Sequence, residues 1–170
     1  MTDPEFRDAF HGNKDVVYRY AYRMTGSHAL AEDVVQESFL ALWRRPGVYD
    51  AARGSVRALL LGIARKLILK NWRDEKAYEE LEEQSALCAP VDLPAGERAA
   101  FVARAISLLP PLQREALILA EYEELTLEEI GRVTGAELAA VKSRLHRARE
   151  SLRRMLAPLL DEKGTIHGAR

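Results

Sequence analysis

The stretch from Thr126 to Leu156 constrains this chain more than any other. It opens Thr126-Leu127-Glu128-Glu129-Ile130, where Thr126 can cap a helix and Glu129 can reach back to it, a capping box. Ile130 and Val133 carry an apolar stripe one turn further. Gly135 then breaks the run, because only glycine takes a left-handed turn at little cost. A second helix is predicted from Glu137 to Leu156. It places Leu138, Val141, Leu145, Ala148, Leu152 and Met155 at three- and four-residue steps.

Two short helices around a Gly-bearing turn, the second longer and basic, outline a DNA-reading helix-turn-helix. Away from its apolar stripe, the second helix carries Lys142, Arg144, Arg147, Arg149, Arg153 and Arg154 against the single acid Glu150, with Ser143 and His146 among them. Cations at this density repel one another and call for an anionic partner. The DNA backbone supplies one through counterion release, and Arg or Lys can also bond the acceptor edge of guanine. A solvated basic face is the plainer reading of the same charges.

The chain has 170 residues, enough for one ordinary domain or two small ones. A formal net charge of −1 hides a segregated distribution. The middle is acidic and the last long helix basic, an asymmetry that often marks a nucleic-acid-binding end. Cys88 is the only cysteine. No disulfide framework can form within one chain, and a reducing cytoplasm is the expected setting. Apolar runs such as Ala58 to Leu61 are far too short to cross a bilayer, so no membrane insertion is expected. His11, His28, His146 and His167 are scattered, with no metal-ligand spacing, and Cys88 has no neighbouring base. Neither a catalytic residue nor a metal or cofactor site is expected.

From the start of the chain, Met1 to Phe10 suggests a turn or two of helix. Asp15 to Met24 gathers Val16, Val17, Tyr20, Ala21 and Met24 on one face of an amphipathic helix, which Thr25-Gly26-Ser27 breaks. From Ala31 to Arg45, a stripe of Ala31, Val34, Val35, Ser38, Phe39 and Leu42 faces a core. Asp33, Gln36, Glu37 and Leu40 share another face, fit either for solvent or for a partner helix. After Pro46-Gly47 and a loop, a third helix is expected from Val56 to Arg73, with Leu59, Leu60, Ile63, Leu67 and Ile68 inward. Arg57, Arg65, Lys66, Lys70, Asn71 and Arg73 stand elsewhere on it, with Trp72 beside them. Cations near an aromatic suit a single-stranded nucleic acid, with charge for phosphate and a ring for stacking. Trp72 reads equally well as a core residue. The acidic run from Asp74 and the Pro- and Gly-bearing composition up to Gly96 place a linker at 79–96. Glu97 to Leu109 is a helix stopped by Pro110-Pro111, and Leu112 to Tyr122 another.

Three of these stretches together resemble one family, the extracytoplasmic-function (ECF) sigma factors of bacterial RNA polymerase. Ala31-Glu32-Asp33-Val34-Val35-Gln36-Glu37-Ser38-Phe39 is similar to the family's region 2 signature. Leu109-Pro110-Pro111-Leu112-Gln113-Arg114-Glu115-Ala116 is similar to the opening of its region 4. Val141-Lys142-Ser143-Arg144-Leu145-His146-Arg147-Ala148-Arg149 is similar to its recognition helix. The order of the three, with a linker between them, covers nearly the whole chain.

The resemblance implies an all-α protein of two small helical domains: a region 2 bundle over 1–78 and a region 4 helix-turn-helix domain over 97–160, with a tail from 161 to 170. It implies a promoter-specificity subunit with no covalent chemistry of its own. Asp33, Gln36, Glu37 and Leu40 would meet core polymerase, whose β′ and β subunits are the family's partners. Arg57, Arg65, Lys66, Lys70, Asn71 and Arg73 would meet the −10 promoter element. Lys142, Ser143, Arg144, His146, Arg147 and Arg149 would meet the −35 element. An anti-sigma protein is a further implied partner. The family often has Trp where Leu59 stands, Asn at Lys66 and Asp at Lys70, and usually continues past Arg73 with arginines rather than Asp74 and Glu75. Ala139-Ala140 stand where it usually has Gly-Thr. A sigma-like decoy for an anti-sigma protein, or a free-standing helix-turn-helix regulator, are the alternatives.

Overall fold

The structure is a computed structural model that describes residues 1–79 and 96–159, with no strand among them. The central segment that holds most of the expected linker and Cys88, and the tail from 160 onward, lie outside the described residues.

The first helix, α1 (Asp3–Thr25), is continuous rather than broken near Phe10. A second capping box explains this: Thr2 N–H donates to Glu5 at 2.6 Å and the Thr2 hydroxyl accepts from Glu5 N–H at 3.5 Å. Hydrogen bonding to the Glu5 carboxyl from the Thr2 backbone N–H, and then from the Thr2 side chain, holds it below its ordinary pKa. The helix ends at Gly26, whose φ of 69° is left-handed.

Ser27 caps α2 (His28–Arg44), its hydroxyl accepting from Leu30 N–H at 3.1 Å. Two short 3-10 turns, Pro46–Val48 and Ala51–Arg53, lead to α3 (Val56–Glu79). This helix continues past the expected end at Arg73. Its most buried residues are Leu60, Leu61, Ala64 and Ile68, while Leu59 and Leu67 are only partly covered. The consecutive leucines at 59–61 leave the phase of the helix open, and the packing of α1 and α2 selects it.

The C-terminal half comprises α4 (Glu97–Ser107), α5 (Pro111–Leu117), α6 (Leu127–Thr134) and α7 (Leu138–Leu156). Pro111 opens α5, where a missing N–H does no harm. The end of α5 widens into a π turn, Ile118–Tyr122, a feature frequent at functional sites.

Val17, Tyr20, Ala21, Ala31, Leu42, Leu60 and Leu61 are fully covered in the N-terminal half, as are Ile118, Leu119, Ile130 and Ala148 in the C-terminal half. Each large aliphatic side chain removed from water in this way contributes about 1.5–3 kcal/mol. The two cores are continuous, because α3 packs on α6 while α1 meets α4 and α5.

Candidate nucleic-acid interface

In α6 and α7 the expected turn forms. Thr126 N–H donates to Glu129 at 2.8 Å and Glu129 N–H donates to the Thr126 hydroxyl at 3.2 Å. Gly135 is left-handed at φ 70°. A Cβ on Gly131 would sit 3.0 Å from the Ala136 carbonyl oxygen, so the turn is drawn tight against α6. Val141, Leu145 and Ala148 anchor α7 to the core. Leu138, expected in that stripe, is instead 40% exposed at the helix mouth.

With the stripe inward, Lys142, Ser143, His146, Arg147 and Arg149 are exposed and Arg144 is partly so. The structure therefore brings the six C-terminal candidates to one helix, with an open cationic face. Arg149 differs from the rest. Its Nε and terminal nitrogen donate to Glu121 Oε1 at 2.9 and 2.5 Å. Arg153 similarly pairs with Glu150 on the next turn.

On α2, Asp33, Gln36 and Glu37 are exposed and Leu40 half-buried, opposite the buried Ala31, Val34, Ser38 and Leu42. The expected acid, amide and leucine face thus lies free of the core. It is well separated in sequence from the α7 cations, and nothing within the described chain covers it.

The candidates on α3 divide into two groups. Lys66, Lys70 and Arg73, at helical spacing, are exposed. Trp72 is half-buried against the core, the plainer of its two readings. Asn71 is partly covered, with a side-chain oxygen that has no hydrogen-bond partner.

Arg57 and Arg65 are paired with acids rather than forming a free cationic strip, and their side chains are 37% and 16% exposed. Arg57 donates to Glu123 Oε2 at 2.8 Å and to the Glu123 carbonyl at 2.9 Å. Arg65 Nε donates to Glu115 Oε1 at 2.6 Å, and the Tyr20 hydroxyl donates to the same oxygen at 3.3 Å. Burial, and then the Glu115 charge, push the Tyr20 hydroxyl well above its ordinary pKa, so it remains a donor.

Sequence reasoning did not single out Glu115 and Glu123. A signal was present, since both stand four residues from Leu119 and so fall on a buried face. An acid in phase with a core stripe must find a partner.

Residues 9–78 match the Sigma-70 region 2 family and residues 99–152 the Sigma-70, region 4 family. Over 167 residues the chain is 32% identical to the ECF RNA polymerase sigma factor SigE of Mycolicibacterium smegmatis, covering 91% of this chain but only 62% of that protein. It is 31% identical to SigK of Mycobacterium tuberculosis, covering 89% of this chain and 85% of that one. It is also 31% identical to SigW of Bacillus subtilis, covering 91% and 90%. In fold it is similar to the sigma factor RpoE of Bartonella quintana, solved in complex with the anti-sigma factor NepR. There the TM-score is 0.77 at 22% identity, over 90% of this chain and 97% of that one. It is less similar to SigJ of Mycobacterium tuberculosis, with a TM-score of 0.57 at 24% identity, over 89% of this chain and 53% of that one. With both sigma regions matched in order, and near-full-length relatives above 30% identity, the chain belongs to the ECF sigma factors of RNA polymerase.

Proposed function

We propose that this chain is a dissociable specificity subunit that directs core RNA polymerase to particular promoters and performs no covalent chemistry. The observation that carries the reading is the separation of two exposed surfaces of opposite character. One is the acid, amide and leucine face of α2; the other is the cationic face of α7.

Asp33, Gln36, Glu37 and Leu40 dock on core polymerase. Lys142, Ser143, Arg144, His146, Arg147 and Arg149 enter or flank the −35 major groove, where charge gives affinity and base-edge bonds give selectivity. Arg57, Arg65, Lys66, Lys70, Asn71 and Arg73 hold the −10 element as its strands part. Opening duplex costs about 1.4 kcal/mol per stacked step. A few captured bases at roughly 1–3 kcal/mol each can therefore hold a short bubble. Two modest contacts become selective once polymerase fixes their separation.

An anti-sigma protein fits the same reading, supported by the fold shared with a sigma factor solved with one. Lys66 and Lys70 offer phosphate contacts without the base-reading chemistry of an amide, which favours a −10 interaction weighted toward the backbone.

The test is pull-down with core polymerase followed by run-off transcription on genomic fragments. Core binding with promoter-selective transcripts is expected. A chain that ignores free core polymerase overturns the reading. Failure to transcribe despite anti-sigma binding marks a decoy. Without polymerase, weak promoter binding is expected from a net charge of −1. A tight, sequence-specific gel shift by the free chain, or a stable dimer on a palindrome, would point to a free-standing regulator.

A further inference from the structure

Beside the continuous apolar core, the two halves of the molecule are joined by a set of charge contacts. Arg57 and Arg65 of α3 and Arg23 of α1 face two carboxylates of the C-terminal half, Glu123 and Glu115, whose side chains are only 1% and 3% exposed. Besides the bonds already described, Arg23 lies 3.7 Å from Glu123 Oε1, a charge contact without a hydrogen bond. Its guanidinium also stacks 4.0 Å over the Tyr122 ring. In the other direction, Arg114 donates to the Met24 carbonyl at 2.7 Å.

Around these pairs α6 lies over α3. A Cβ on Gly62 would sit 3.9 Å from the Val133 carbonyl oxygen. A groove of about 470 Å³ between the 48–55 turn, α3 and α6 is lined in part by Tyr49, Lys66 and Arg132.

A guanidinium binds carboxylate and phosphate with the same fork of donors. An Arg–Glu pair whose carboxylate is buried contributes little net stability relative to apolar packing, because the carboxylate loses its water and the guanidinium loses part of its own. Breaking it by removing one partner is nevertheless strongly unfavourable. Such an interface has a definite geometry, yet it can be exchanged for another anion that offers the same oxygens. Glu123, which caps the π turn Ile118–Tyr122, meets Arg57 with both its carboxylate and its carbonyl, and Glu124 follows it at a left-handed φ of 53°. A non-glycine residue in that conformation is held there by its surroundings.

We propose that the chain closes on itself, with Glu115 and Glu123 occupying Arg65 and Arg57 as internal stand-ins for promoter phosphate. The closed form withholds Arg57 and Arg65 of α3 from nucleic acid, while it leaves Lys66, Lys70 and Arg73 and the α2 face exposed. The inhibition rests on the assignment of α3 to the −10 element, whereas the closure itself does not. The two states compete for the same guanidinium groups, so an unwound strand gains them only when α5 and α6 move off α1 and α3. A closed population of ~90% or more lowers the apparent affinity of α3 for a strand about tenfold or more.

The experiment places a donor and an acceptor dye at Ala52→Cys and Ala139→Cys in a Cys88→Ser background, and follows energy transfer and binding of a forked −10 oligonucleotide without polymerase. Glu115→Gln with Glu123→Gln is expected to lower the transfer and raise oligonucleotide affinity about tenfold, with unchanged helical circular dichroism. Unchanged transfer and affinity in that variant overturn the proposal. A second variant removes any dependence on how the double mutant folds. Cysteines introduced at Gly62 and Val133 in the same background, joined by a short reducible linker, hold α3 and α6 together. The linked chain is expected to bind the oligonucleotide about tenfold or more weakly and to regain affinity on reduction. Equal binding before and after reduction overturns the inhibitory role. Run-off transcription by the wild-type chain reads the sigma function separately, so failure of that function and failure of closure are distinguishable.

Discussion

Arg147 stands on the open face of α7, two residues beyond the buried Leu145, with no acid among the described residues fixing it. Its fork is free to reach the edge of a guanine, and Lys142, earlier on the same helix, presents a point charge that suits phosphate. These chemistries separate in a transcription or binding assay with polymerase present. Arg147→Ala is expected to cost about 1–3 kcal/mol and to relax selection at one base pair. Lys142→Ala should weaken all promoters alike and lower the salt slope by about one. Promoter preferences unchanged across a randomised −35 library would remove Arg147 from base reading. Arg149 must first leave Glu121, an exposed pair worth about 0–1 kcal/mol. Its replacement should therefore have a smaller effect than that of Arg147.

The α6–α7 unit depends on its junctions as much as on its faces. Thr126→Ala removes one half of the capping box and is expected to destabilise by ~1 kcal/mol. Gly135→Ala puts a Cβ into a left-handed turn at φ 70° and should cost about 1–2 kcal/mol. Urea unfolding of the full chain checks both, and a Gly135→Ala midpoint equal to wild type would contradict the turn geometry. This unit was readable from the chain because its cap, break and stripe all have local causes. The exposed faces of α2 and α7 were readable for the same reason, as charge opposite an apolar stripe. The Thr2–Glu5 box was equally local, and overlooking it split α1 in two. The far end of α3 was hidden because its acids resemble a linker. The partners of Arg57 and Arg65 could not be read locally. They lie 66 and 50 residues away, and only the docking of α5 and α6 on α1 and α3 brings them into contact.

Tyr20 registers the state of the whole molecule, because it is buried in the N-terminal half and donates to Glu115 of the C-terminal half. Its hydroxyl pKa is raised above the usual 10.0, first by desolvation and then by the Glu115 charge, with Arg65 opposing. The unfolded chain therefore releases this proton at lower pH than the folded one. The corresponding stability is whole below about pH 10 and is lost as pH rises toward the folded value, at about 1.4 kcal/mol per pH unit between the two. Tyr20→Phe deletes both the hydrogen bond and the titration. At neutral pH the variant should be less stable by roughly 1 kcal/mol, the net worth of such a bond. Above pH 10 the gap should narrow, because the variant lacks this alkaline loss. Chemical denaturation of the two proteins from pH 8 to about 11 measures the gap. Parallel curves would mean that the Tyr20 hydroxyl ionises as freely in the folded chain as in the unfolded one, and that the two halves do not close over it.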